Sequence, residues 1–555
     1  MLFRSRWRAA AAAALWIAAA PLQAAESTPE RQSLEELRNT VVNILQALVA
    51  KGVLTRDQAE QIVKQAQDKA AGQLAASAAQ QAEQAKGDEN AVRVPYVPQI
   101  IQDQIGKQVA ADLKPQVVAD VVKQAREEKW GVPAALPDWL AHVRMYGDIT
   151  LRAQADLYAR DNATNLYDFN SINLAGGLGK VSPQNEFLDT TQNRRRLRLR
   201  ARLGLDAQLS PHLTAGIRLA SGALTDPGSE SQTLGTYSDR YSVGFDQAFL
   251  RWNSSVAGEV SALSAVGGRI SNPWFSPTEL VYARDLQFEG LASTARWRFG
   301  EAGPGRSSLF LTAGAMPMLE VPLANSANKW LVGGQLGADL RWSDGDSHLT
   351  AGLAYYDFLH VTGVLNPSGE PGLYNYTAPA FIRYGNTVFD ISNNITDPTV
   401  NLFALASKFR LVDAAVSYEQ RFHRYSVGLM AEAVKNVGYR RNQVNALSSQ
   451  LVPAAPSDEN NGYVAEVSFG DPQVLQAYRW RARLGYRYVK RDALIDAWTD
   501  ADFHEGGTNA AGYYLWTDFG VANNTWFRVR YLSANEIDGP RYGLDVLQVD
   551  LNARF

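Results

Sequence analysis

Arginine recurs at every second position over Arg196, Arg198, Arg200 and Arg202, and again over Arg479, Arg481 and Arg483, with Arg487 in the same phase. Arg218, Arg251, Arg528 and Arg530 fall in similar alternating contexts. A guanidinium keeps its charge at any working pH and offers a planar fork of donors to carboxylate or phosphate. On an extended chain, residues two apart share a face about 6.5 to 7 Å apart, so a row would hand an anion from donor to donor and release it at each step. The structural alternative is that the same side chains brace a wall by pairing with Asp and Glu. Residues 143–555 hold 33 of the 41 Arg but 5 of the 13 Lys, which selects guanidinium and not merely positive charge. Asp492, Asp496, Asp500, Asp502 and Glu505 crowd the segment after the second row, where they could set a transverse field against it.

Catalytic chemistry is poorly supplied. The six His, at 142, 212, 348, 360, 423 and 504, show neither metal-ligand spacing nor a nucleophile and base arrangement. The chain has no Cys, which removes disulfides, thiolate metal sites and a cysteine nucleophile. No enzyme activity, metal or cofactor is expected. A net charge of -3 gives no nucleic-acid footprint.

Arginine rows of this kind need strands to hold them. From Val143 the period is two: Met145, Ile149, Leu151 and Leu157 alternate with Arg144, Asp148, Thr150, Arg152 and Asp156, and Leu197, Leu199, Leu203 and Leu205 with the first arginine row. One face suits lipid and the other water, which within a membrane only a closed barrel allows. The pattern predicts an all-β transmembrane barrel of about sixteen antiparallel strands. They fall near 143–158, 195–209, 213–221, 242–252, 263–270, 285–299, 307–316, 329–342, 348–358, 402–421, 425–435, 462–469, 477–491, 512–521, 525–533 and 543–555. Short turns such as Ser210-Pro211-His212 and Ala522-Asn523-Asn524 alternate with long connections near 159–193, 359–401 and 436–461. Short periplasmic turns, long outer loops and an even strand count describe a bacterial outer-membrane barrel. Trp252, Trp297, Phe299, Trp342, Phe422, Tyr425, Tyr478, Trp480 and Phe555 then fall at periplasmic strand ends, as half of an aromatic girdle. On this count the arginines named above face the lumen from the second to fourth, thirteenth and fifteenth strands.

The ends agree. Leu547, Val549, Leu551 and Phe555 mark a closing strand whose terminal aromatic sits at the lipid interface, a signal for the barrel-assembly machinery. Arg4, Arg6 and Arg8 before the apolar run Ala9 to Ala20 predict a signal peptide over 1–24. Residues 25–142 form a periplasmic helical segment, in which Leu34, Leu37, Val41, Ile44 and Leu48 make a narrow seam. That seam suits either a helical hairpin or a coiled coil; self-association, as a trimer matching three barrels, is the preferred expectation. The segment is too helical and Ala/Gln-rich for the globular plug of an energy-coupled receptor.

Several runs resemble the putative porin family of Gram-negative bacteria: Val92-Arg93-Val94-Pro95-Tyr96-Val97-Pro98, Leu136-Pro137-Asp138-Trp139-Leu140 leading into Gly147-Asp148-Ile149-Thr150-Leu151-Arg152, then Asp246-Gln247-Ala248, Gly268-Arg269-Ile270-Ser271-Asn272-Pro273 and Glu289-Gly290-Leu291. Thr150 departs from the basic residue expected there. The resemblance spans nearly the whole mature chain and implies an outer-membrane porin with an N-terminal helical segment; it brings no catalytic or substrate residues. The expected function is a water-filled diffusion channel for small hydrophilic solutes, embedded in outer-membrane lipid and anion-preferring through its arginine rows. The alternative is a structural or adhesive protein that uses the barrel as an anchor.

Overall fold

The computed structural model describes residues 142–254, 261–300, 306–324, 326–342, 346–394, 397–447 and 458–555. The signal peptide and helices expected before residue 142 lie outside the described residues. Sixteen antiparallel strands form the wall. They are β1 Val143–Tyr158, β2 Arg194–Ser210, β3 Leu213–Ser221, β4 Val243–Asn253, β5 Ser261–Ser271, β6 Gln287–Phe299, β7 Ser307–Leu319 and β8 Lys329–Trp342; then β9 Ser347–Leu359, β10 Phe409–Phe422, β11 Tyr425–Asn436, β12 Asn461–Gly470, β13 Trp480–Val489, β14 Ala510–Ala522, β15 Thr525–Glu536 and β16 Gly543–Arg554. Each strand pairs with the next, and β1 closes on β16 from Asp148 opposite Arg554 to Tyr158 opposite Leu544. Closure leaves no unpaired edge, as a lipid environment requires.

The burial pattern is that of a soluble protein turned inside out. Ile149, Leu151, Leu203, Leu205, Leu515 and Leu547 are exposed on the outer face, while Thr150, Gln154, Asp156, Gln548 and Asp550 are buried on the inner one. Only lipid outside and polar contacts inside reconcile the two. Trp252, Trp297, Phe299, Trp342, Phe422, Tyr478 and Phe555 are exposed at the short-turn end, and Tyr425 packs beside Trp480 there at 6.1 Å. Gly147 on β1 lets the final aromatic close the seam. A Cβ at that position would lie 2.5 Å from the Phe555 ring, and the two residues exchange both main-chain hydrogen bonds at 3.0 Å.

Two strand starts differ from the sequence expectation by three residues or more. β10 begins at Phe409 and not near 402, because Phe403–Leu405 pairs with Val388–Asp390 as a small two-stranded flap within the long β9–β10 connection. β13 begins at Trp480, so Arg479 lies in the preceding turn. There Asp471 accepts from the Trp480 main chain at 3.0 Å and binds Arg424 and Arg479, which fixes the turn before the strand starts.

Candidate functional site

The lumen is divided by two long loops that fold inward. Residues 272–286, between β5 and β6, insert Trp274 and Tyr282 against Tyr356 of β9, with ring centroids 5.0 and 5.3 Å apart. Glycines on the wall make the room: a Cβ on Gly333 or Gly314 would lie 3.0 or 3.1 Å from the Trp274 ring. The buried amide of Gln335 on β8 clasps the loop at Phe275, accepting from its N–H at 2.7 Å and donating to its carbonyl at 2.8 Å. The second loop, 490–509 between β13 and β14, zips onto the first. Ala283 donates its main-chain N–H to the Trp498 carbonyl at 2.7 Å, and the Thr499 hydroxyl donates to the Leu280 carbonyl at 2.7 Å. Together the loops cover an apolar lining that includes Ile270, Phe288, Met316, Leu331, Phe358, Phe409 and Leu411.

The covered wall is apolar, while the wall from β13 through β16 to β3 is rich in arginine. Arg196 pairs with Asp156 at 2.5 Å, and Arg200 with Asp148 and Asp285 at 3.4 and 3.2 Å. Arg202 pairs with Asp148 at 2.7 Å and Glu230 at 3.3 Å, and Arg218 with Asp246. Arg481 lies 3.7 Å from Glu419, Arg483 3.4 Å from Glu466, Arg487 3.7 Å from Asp500 and Arg528 2.6 Å from Asp518. Asp502, on the inward loop, reaches Arg530 at 2.8 Å, Arg152 at 2.9 Å and Arg198 at 3.9 Å. Burial alone would raise its carboxyl, but Arg152, Arg530 and Arg198 outweigh burial and hold it well below the usual range. A small cavity of about 60 Å³ lies among Arg152, Arg200, Arg528, Asp285, Asp502 and Asp550, room for a few waters. It adjoins, at Ser229 and Asp285, a larger space of about 750 Å³ bounded by Glu230, Asp246, Phe381 and Trp498.

Two of the arginines proposed from the sequence stand apart. Arg251 stacks over Phe249 at 4.9 Å, and Arg479 belongs to the Asp471 turn. The acidic segment also divides. Asp500 and Asp502 face arginines, but Asp492 and Asp496 are buried, and burial pushes each carboxyl up to about 7. One oxygen of each has no hydrogen-bond partner, as a neutral carboxyl permits. Glu505 accepts from the hydroxyls of Tyr158 at 2.7 Å and Tyr542 at 3.0 Å.

Three contributors were missed by sequence reasoning. Arg152 binds Asp550 at 2.8 Å as well as Asp502, and its alternation on β1 was a readable signal. Arg284 comes from the inward loop and had no such signal. Trp516 on β14 is buried beneath four guanidiniums, with Arg483, Arg528, Arg530 and Arg284 at 4.5, 4.7, 5.2 and 5.3 Å from its ring. The negative face of an indole stabilises cations held near it and spaces them without neutralising them.

A closed sixteen-strand barrel, narrowed from within beside an arginine wall, is the architecture of a diffusion channel. A family model described as putative porin matches residues 38–555. The chain belongs to the putative porin family. That places the barrel in the outer membrane and its function among channels and not enzymes. Solved structures of similar fold include the outer membrane channel DcaP of Acinetobacter baumannii, at 11% identity over 74% of this chain and 97% of that one, TM-score 0.37. Salmonella typhi OmpF in complex with daunomycin matches at 12% identity over 74% and 97%, TM-score 0.38, and Pseudomonas putida OprB at 11% over 77% and 97%, TM-score 0.42. No curated protein matches the chain.

Proposed function

We propose that small hydrophilic solutes cross this porin through the gap between the inward loops and the arginine wall, and that anions cross more readily than cations. The observation that carries this reading is the concentration of guanidiniums on one side of the lumen, four of them gathered around the Trp516 ring. Each guanidinium keeps its charge at any working pH, and the indole face holds Arg483, Arg528, Arg530 and Arg284 at 4.5 to 5.3 Å without neutralising them. Residues 143–555 carry 38 basic and 41 acidic side chains, so position and not total charge must supply the preference. Partly screened charges a few ångströms from an ion contribute on the order of 1 kcal/mol each, enough for several-fold selectivity when a few act together. Reversal potentials in a salt gradient read the ratio directly. Replacing Arg198, Arg200, Arg481 and Arg483 with Gln moves it toward cations; an unchanged ratio makes these residues wall braces.

The ion pairing favours a second reading, in which the barrel anchors a surface structure and its interior is simply neutralised. Conductance separates the two. The remaining proposals concern assembly. Residues 1–24 act as an export signal, residues 25–142 form a periplasmic helical segment that holds a homotrimer, and Leu547, Val549, Leu551 and Phe555 are read by the barrel-assembly machinery. Native mass of the detergent-extracted protein tests the trimer, and a lone subunit at high concentration would refute it.

A further inference from the structure

Every strand keeps both neighbours, but towards the long-loop end two ladders stop short. The β4–β5 ladder ends at Ala248 opposite Arg269, whereas β4 runs on to Val243 paired with β3. Likewise the β6–β7 ladder ends at Leu291 opposite Ala315, while β7 runs on to Leu319 paired with β8. β5 and β6 stay paired to each other as far as Ser271 and Gln287, where the inward loop begins. Gly268 and Gly290, directly opposite each other, permit the departure. Their φ angles are 119° and 138°, and a Cβ would lie 2.2 Å from the Ala248 carbonyl oxygen at one and 2.3 Å from that of Ala315 at the other. The wall is therefore parted between β4 and β7 around the tip of the β5–β6 pair.

The parting lies at the depth of lipid. It begins four residues above Trp252 on β4 and six above Trp297 on β6. At about 2.5 Å of height per tilted residue that is roughly 10 to 15 Å above the short-turn girdle, within an apolar band about 25 Å tall. Phe245 and Leu224 on its outer side are 65% and 70% exposed. Behind it lies the space of about 750 Å³, whose lining runs from these two residues and Leu319 to Ile495 and Trp498 on the second inward loop.

The charges that line this space are already engaged. Glu230 lies 3.3 Å from Arg202, Asp285 3.2 Å from Arg200 and Asp226 2.6 Å from Arg383, and Asp246 pairs with Arg218. Glu289 pairs with Arg269 at 2.7 Å on the outer face, and the Lys329 ammonium is buried against the carbonyls of Thr377 and Ala378. A charged solute gains no free partner there. The parted strand edges, in contrast, direct main-chain N–H and C=O groups across the break; Arg269 Nε donates to one of them, the Asp246 carbonyl, at 2.9 Å. Lipid chains cannot satisfy such groups, whereas a hydroxyl both donates and accepts.

We propose that the parting is a lateral opening through which the space takes up a small uncharged amphiphile, such as a medium-chain alcohol, from the leaflet at the long-loop end. The hydroxyl meets the parted edges, and the chain packs on Leu224, Phe245, Met318 and Leu319. The volume is that of an ordinary small-molecule site.

The test uses the full chain in phospholipid nanodiscs, with photolabelled peptides mapped by mass spectrometry, so its outcome does not depend on ion selectivity. A decanol that carries a diazirine should label Ile495 or Trp498 as well as the outward strand faces, and excess decanol should reduce the inner labelling several-fold while leaving the outer labelling unchanged. A phospholipid with the diazirine in one acyl chain cannot leave the membrane and should label the same inner residues. Replacing the hydroxyl of the first probe with a trimethylammonium group should cut the inner labelling about tenfold. Labelling of the outward faces alone means that the parting is sealed, by a second copy or by its own neighbours, and overturns the proposal. Inner labelling by the alcohol but not by the phospholipid means entry from the channel mouth and overturns the lateral opening. Equal inner labelling by the charged probe overturns the assignment of an uncharged solute.

Discussion

At the scale of single residues, Asp502 is the group on which most charge converges, binding guanidiniums from β1 and β15 and lying within 4 Å of one on β2. Removing one partner of a buried pair costs far more than the pair is worth, because the other charge stays behind in a poor solvent. Asp502→Asn should therefore destabilise the barrel by about 3 kcal/mol, visible as a lower unfolding midpoint in denaturant, and should raise anion preference in reversal-potential measurements. Asp492 and Asp496 behave in the opposite sense. With folded pKa values of about 7 against an ordinary value near 4, their contribution is present in full below about pH 4 and is lost as pH rises through 7. His504, held down at about 4, acts with opposite sign below its ordinary value of about 6.5, so the window from pH 6.5 to 8 separates these acids from the histidine. Across that window the loop loses on the order of 1 kcal/mol per group. Hydrogen exchange over residues 490–509, corrected for the intrinsic pH dependence of amide exchange, should be several-fold faster at pH 8, and Asp492→Asn with Asp496→Asn should reduce the difference. These roles were not legible in the sequence. Five neighbouring acids look alike until the fold buries two, pairs two with arginine and gives the fifth to tyrosine hydroxyls.

At the scale of elements, the strands could be read almost directly and the loops could not. Lipid forces an apolar residue at every second position, so Leu197 to Leu209 betray β2 without any knowledge of their neighbours. Nothing comparable marks residues 272–286 as an inward fold, since Trp274 and Tyr282 are unremarkable in a loop. The only trace lay elsewhere, in Gly314 and Gly333, which leave space for Trp274. Turn chemistry displaced Arg479 for a similar reason: the alternation runs on past the point where Asp471 fixes the chain. If the loop narrows the passage, deleting residues 276–284 should raise single-channel conductance while leaving the barrel folded. Trp274→Ala should do so less cleanly, since the lost packing costs about 3 to 5 kcal/mol and loosens the loop without removing it. Unchanged conductance in both variants would place the narrow point elsewhere.

At the scale of the whole molecule, the balance between bracing and transport decides what the barrel is for. Twelve arginines were proposed as pore lining; ten form ion pairs in the lumen and two lie apart, so bracing is real. Bracing and conduction are compatible, because paired guanidiniums that line a passage still place fixed positive charge within a few ångströms of an ion in transit. An anchor, in contrast, needs no passage at all. Planar-bilayer recording of folded, heat-modifiable protein tests this most directly. The account predicts discrete conductance steps, each carrying more anion than cation current under a salt gradient. Folded protein that inserts but gives no steps would contradict it and leave the anchor as the reading of the fold.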